Sequence, residues 1–161
     1  MTALTVATAF VAAITAFHQG DFRVLRAASY LRDQPSSAQQ GAVTPRTVDK
    51  GEQSNIDEAR QVVVRTDVEW TKLWQQHSPD RQRPTVDFAK DMIVGVFMGS
   101  RPSAGYNISI VSTFAKDGNV IVQYRESAPR PGTMTAQVLT FPYHFVAIPK
   151  AAGEVRFEKI Q

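Results

Sequence analysis

The sequence predicts a mainly β domain of the α+β class: an antiparallel β-sandwich or open barrel of about seven short strands with one packed helix. Three observations predict it. Beyond residue 50, short runs of β-branched and aromatic residues alternate with polar ones. Asp117-Gly118 stands between two such runs, a strong hairpin signal. Within the same region, residues 67–77 repeat their apolar side chains at helical spacing.

The elements follow in chain order. Residues 3–17 carry no charge. The run is shorter than the about 20 residues that span a bilayer comfortably, and it suits the apolar region of a signal peptide. Val11-Ala12-Ala13 or Ile14-Thr15-Ala16 would serve as the small-residue cleavage site. Only Met1 and Thr2 precede the run, so the usual basic flank is missing. Residues 1–20 are therefore expected to be a signal peptide or an N-terminal anchor. The protein is then exported: periplasmic, in the cell envelope or secreted. Residues 21–50 read as a short amphipathic helix followed by a flexible linker. Phe22, Leu25, Ala28 and Leu31 mark the helix, and the stretch 33–50 is rich in Gln, Ser, Pro, Ala and Gly.

The folded domain is expected over residues 51–161. Val62-Val63-Val64 is a β-branched run and a strand. Thr66-Asp67-Val68-Glu69 is a capping box that announces the helix near residues 67–77. Trp70, Leu73, Trp74 and His77 share one face of it, which must dock on something large and apolar. Met92 to Met98 is continuously apolar and reads as a strand buried on both sides. Tyr106, Ile108 and Ile110 alternate with Asn107 and Ser109, and Val120, Val122 and Tyr124 continue the pattern after the Asp-Gly turn. Residues 138–141, 145–148 and 155–160 supply the last strands.

Charge and composition exclude several functions. Residues 1–50 carry five basic and three acidic side chains, and residues 51–161 carry 13 and 12. No concentrated basic face results, so nucleic-acid binding is not expected. There is no cysteine, which excludes thiol catalysis, disulfides, thiolate metal sites and a lipoprotein anchor. The three histidines, His18, His77 and His144, form no metal-binding pair in sequence, and no Gly-x-Ser-x-Gly elbow occurs. Asp87 and Asp91 flank a short segment that reads as a solvated turn. A triad of Ser103, His144 and Asp87 has no support from spacing. No enzyme, cofactor or metal is expected.

The hairpin carries a geometric consequence. Its turn lies at one end, so the start of its first strand and the end of its second lie together at the other. The loops of residues 99–105 and 128–132 should then be neighbours. They present Arg101, Pro102, Ser103, Arg130 and Pro131, with Tyr106 at the strand start. Prolines stiffen both loops, which lowers the entropy lost on binding.

Several motifs in order carry a family resemblance. They are Gly99-x-Arg101-Pro102-Ser103-x-Gly105-Tyr106, Glu126-x-x-Pro129-x-Pro131-Gly132, and Gln137-Val138-Leu139-Thr140-x-Pro142-Tyr143-His144. Trp70-x-x-Leu73-Trp74-x-x-His77 and Val86-Asp87-Phe88 fit as well. Together they resemble the C-terminal domain of PrcB, a subunit of a bacterial surface protease complex. Ser103 stands where threonine is usual, and Ala104 where glycine is frequent. The resemblance implies an exported, noncatalytic accessory domain that binds another protein, such as a protease or an envelope-complex subunit. It adds Tyr143 and His144 to the candidate partner-binding residues Arg101, Pro102, Ser103, Tyr106, Arg130 and Pro131. Membrane contact is expected only through the N-terminal segment. The Pro-Ser-x-Gly-Tyr stretch is also similar to a loop of chagasin-type inhibitors. That similarity implies the alternative, a protease inhibitor acting through residues 99–106.

Overall fold

The computed structural model describes residues 42–161, which form eight strands and one helix. The strands are β1 (Ala42–Val43), β2 (Arg46–Gly51), β3 (Arg60–Val64), β4 (Asp91–Phe97), β5 (Asn107–Lys116), β6 (Asn119–Ser127), β7 (Tyr143–Pro149) and β8 (Val155–Ile160). The helix α1 spans Asp67–His77. The expected signal peptide and the helix within residues 21–32 lie outside the described residues.

Two four-stranded sheets face each other, in the orders β1-β5-β6-β8 and β2-β7-β4-β3. This is a sandwich and not a closed barrel. The continuous apolar run of β4 explains the layering. Side chains alternate along a strand, so Met92, Val94 and Val96, with Val146 of the neighbouring β7, face the opposite sheet, where they meet Ile108, Ile110 and Val122. Ile93 and Phe97 point the other way, into a second cluster roofed by α1. Both faces of this sheet are thus buried, as the run demanded.

Helix α1 begins where its capping box places it. The Glu69 amide donates to Thr66 Oγ1 at 3.3 Å, and the Thr66 amide donates to Glu69 Oε2 at 3.2 Å. Its tryptophan face is buried as expected. Trp70 meets the Phe145 ring edge-on at 5.1 Å. The two indoles donate to backbone carbonyls of the following loop, Trp70 to Pro84 and Trp74 to Arg81. A buried indole N–H needs such a partner, so the segment after the helix is tied to it.

The hairpin forms at Asp117-Gly118, and both residues have positive φ, 50° and 78°. That backbone matches the twist of paired strands and explains the Asp-Gly choice.

Three expectations need correction. The domain does not begin at residue 51, because β2 pairs with β7 from Arg46 to Gly51 and β1 adds Ala42 and Val43. This is an edge strand with mostly exposed or half-exposed side chains, so it lacks the apolar pattern and resembles a linker. Val138–Phe141 is not a strand. Val138 and Leu139 face solvent, and Thr140 makes only an isolated bridge to Arg101. Apolar residues without a neighbouring strand leave a backbone nothing to pair with. Finally, the sheets are not wholly antiparallel. After β7 the chain crosses to the other sheet, and β8 pairs parallel to β6.

Candidate functional site

The two loops meet as the hairpin required. A Cβ on Gly105 would lie 3.1 Å from the Pro129 ring and 3.5 Å from the Thr135 methyl, so side chains of the second loop pack closely over this residue, whose φ of +90° also favours glycine. The Ala104 amide donates to the Ala136 carbonyl at 3.0 Å. Arg101 and Thr140 exchange backbone bonds of 2.8 and 2.9 Å, and the Thr140 hydroxyl donates to the Ser103 carbonyl at 3.0 Å. Residues 99–106 are thereby fastened to residues 128–140.

The candidates divide into two groups. Pro102, Arg130 and Pro131 are exposed at this tip, and Arg101 and Tyr106 are half-exposed. The Arg101 guanidinium lies over the Tyr106 ring, 5.9 Å from its centroid. Ser103 is buried, and its hydroxyl donates to the adjacent Ala104 carbonyl. It offers no exposed hydroxyl to a partner. Tyr143 and His144 are corrected as well: they are buried in β7 and face opposite sides of its sheet. The motif that placed them beside the loops in sequence reflects core packing.

The tip also holds residues outside the predicted site, two of them in the predicted strand 138–141. Met134 is 99% exposed, Val138 50% and Leu139 58%. Large apolar side chains in water at one place mark an interaction site more often than scattered ones do. The signal was present as an apolar pair after a proline loop, but it read as a strand.

The two described histidines are both buried and serve as polar fasteners. His144 Nδ1 accepts the Ile110 amide at 2.9 Å, where β5 bulges before Ser112. Its Nε2 then carries the proton and donates to Thr47 Oγ1 at 3.0 Å. One ring so joins β2 to the opposite sheet. Burial, helped by the Lys50 charge, lowers its pKa to about 4. His77, the last residue of α1, is buried on the helix's inner face, with Nδ1 2.8 Å from Ser54 Oγ, which accepts the Ile56 amide. Burial lowers its pKa to about 4, against the opposing pull of Asp49. Asp49 favours the tautomer with the proton on Nε2, which faces its carboxylate across 3.8 Å and makes no hydrogen bond.

Ser54, His77 and Asp49 thus bring together the residue types of an acyl-transfer triad, beside a cleft of about 310 Å³ that Arg81 and Tyr143 also line. Ser54 and Asp49 are each engaged by further partners. Ser54 is buried and its oxygen is engaged by a backbone amide. The Asp49 carboxylate is held by Arg81 at 3.1 Å and by the Tyr143 hydroxyl at 2.9 Å. Arg81 in turn donates to the Tyr143 oxygen at 2.8 Å. Burial of that phenol raises its pKa, so it stays protonated as the donor to Asp49. No local pattern signals this network, because Asp49 lies in the expected linker and Arg81 in a loop.

The triad considered from the sequence does not assemble either. Ser103, His144 and Asp87 each have other partners, Asp87 capping the Ala89 amide and pairing with Lys90. Among the described residues, no three His, Asp or Glu side chains are placed to hold a metal ion. No described helix is long and apolar enough to cross a membrane.

A family model described as PrcB C-terminal matches residues 92–149. The match runs from β4 through the hairpin and the exposed tip to the end of β7. No curated protein and no solved structure matches the chain.

Proposed function

We propose that this chain, which carries a PrcB C-terminal family domain over residues 92–149, is a noncatalytic accessory domain that binds another protein through the tip formed by residues 99–106 and 128–139. The observation that carries the reading is the exposure of Met134, Val138 and Leu139 on loops held by backbone bonds. Arg101 and Arg130 flank them, and no carboxylate occurs from Ser127 to Gly153. A partner with an apolar groove rimmed by acidic groups fits such a surface, and arginine with aromatic neighbours is a frequent anchor. The apolar run at residues 3–17 supports action outside the cytoplasm, within an envelope or secreted complex of the protease-associated kind. The inhibitor alternative has less support, since the Ser103 hydroxyl is turned inward.

The test is affinity capture from the native envelope with the full chain and with a variant carrying Met134→Ser, Val138→Ser and Leu139→Ser. The wild type should retain one stoichiometric partner that the variant loses. Equal capture by both, or no stoichiometric partner for either, would end this reading.

A further inference from the structure

We infer that Met134 is an oxidation site through which peroxide switches the tip off, a regulation that rests on the tip being the surface that docks the partner. Conversion of its thioether to the sulfoxide releases the partner and leaves the fold intact.

The methionines of this chain divide sharply. Of the four, Met1 lies outside the described residues. Met92 and Met98 are 0% and 4% exposed, packed between the two sheets. Met134 is 99% exposed. Attack on a sulfur needs access to it, so oxidation follows exposure. The chain has no cysteine, so no thiol of its own competes for the oxidant. Among the described residues, Met134 is then the sulfur that peroxide reaches first.

The step consumes one molecule of hydrogen peroxide. A sulfur lone pair attacks one peroxide oxygen, and the S–O bond forms while the O–O bond breaks. The proton on the transferred oxygen passes to the departing hydroxide, which leaves as water. Sulfur is oxidised by two electrons and the peroxide is reduced by two. A sulfoxide reductase with a dithiol reverses the change: the S–O bond breaks, the oxygen leaves as water, and the dithiol becomes a disulfide.

Fold and binding respond differently. The Met134 side chain stands in water and supports nothing in the folded domain. Its loop is held by backbone bonds, Thr133 to Arg130 and Ala104 to Ala136, which do not involve the sulfur. Binding depends on the apolar character of Met134, Val138 and Leu139, and of these only Met134 turns polar by reaction with peroxide. Its sulfoxide oxygen is a hydrogen-bond acceptor, costly to bury in an apolar groove. An acidic rim around that groove offers further acceptors, not donors.

The test uses the full chain, oxidised to partial conversion with hydrogen peroxide and freed of it before mixing with native envelope extract. Peptide mass spectrometry should find Met134 oxidised at least about tenfold faster than Met92 or Met98, with unchanged melting. When the complex is separated from the free chain, the complex should be depleted of Met134 sulfoxide about tenfold relative to the free chain. Methionine sulfoxide reductases with dithiothreitol should return the free chain to the complex. Equal sulfoxide content in the two fractions overturns the switch, and so does equal oxidation of Met92, Met98 and Met134. Unoxidised chain that finds no partner ends the docking surface and the switch with it. A partner that binds unoxidised and fully oxidised Met134 alike removes the switch alone.

Discussion

The face of the β2-β7-β4-β3 sheet beneath α1 and the tip at residues 99–106 and 128–139 are built on opposite principles. Between α1 and the sheet, Trp70, Trp74, His77, Phe97, Tyr143 and Phe145 interlock at ring distances of 4.2 to 6.4 Å, and of their polar side-chain atoms all but His77 Nε2 have a partner. At the tip the backbone is fastened while the large side chains point into water. The difference teaches where each kind of mutation should act. Stability resides under the helix, whereas the tip can change its side chains at little cost to folding.

The sharpest way to break this comparison is Trp70→Ala. It removes a fully buried indole and should cost about 3–5 kcal/mol in chemical denaturation. A loss near zero would mean that the helix face is not what holds the sheet.

Acid is the next probe. Both His77 and His144 titrate near 4 in the folded protein against 6.5 when free. Their folded values are lowered, so unfolding takes up protons between those limits. Stability is present in full above pH 6.5 and falls as the pH drops toward 4. The slope should correspond to uptake of about two protons on unfolding. In His144→Gln the dependence should shrink to about one, measured by denaturation across that range. An unchanged slope would show that His144 is not held neutral.

Gly95→Ala tests packing more gently. Its Cβ would fall 2.5 Å from Phe145 Cδ1 and 2.9 Å from Val62 Cγ2, so a ring must move. Overpacking of this kind costs about 1–3 kcal/mol, read as a shift of the denaturation midpoint.

The smallest effect belongs to the tip. Replacing Met134, Val138 and Leu139 by serine should change stability by no more than about 0.5 kcal/mol per site while abolishing partner capture. A large destabilisation would show that these side chains pack in the folded domain and would blur the contrast between the two regions.

Elements with strong local signals were legible. The capping box, the Trp70–His77 stripe, the Asp117-Gly118 turn and the period-two strands each encode their own conformation within a few residues. The meeting of residues 99–105 with the proline loop was also legible, because antiparallel pairing fixes it. The edge strand β2 was not. Its pairing comes from backbone groups, and backbone groups are the same in every sequence. The candidate site was legible in part. Arg101, Pro102, Arg130 and Pro131 are at the tip as expected, whereas Ser103, Tyr143 and His144 turned inward.

By itself the sequence determined the mainly β class with one packed helix, that helix's cap and buried tryptophan face, and the hairpin whose far end gathers two stiff loops, while the choice of a sandwich over an open barrel came from the structure. Those features depend on short-range periodicity and turn chemistry. Only the tertiary structure decided that Asp49, Ser54, His77, Arg81 and Tyr143 form one network, and that Met134, Val138 and Leu139 stay in water. Such facts depend on which distant surfaces come within reach of a hydrogen bond or a van der Waals contact, and no local pattern specifies that.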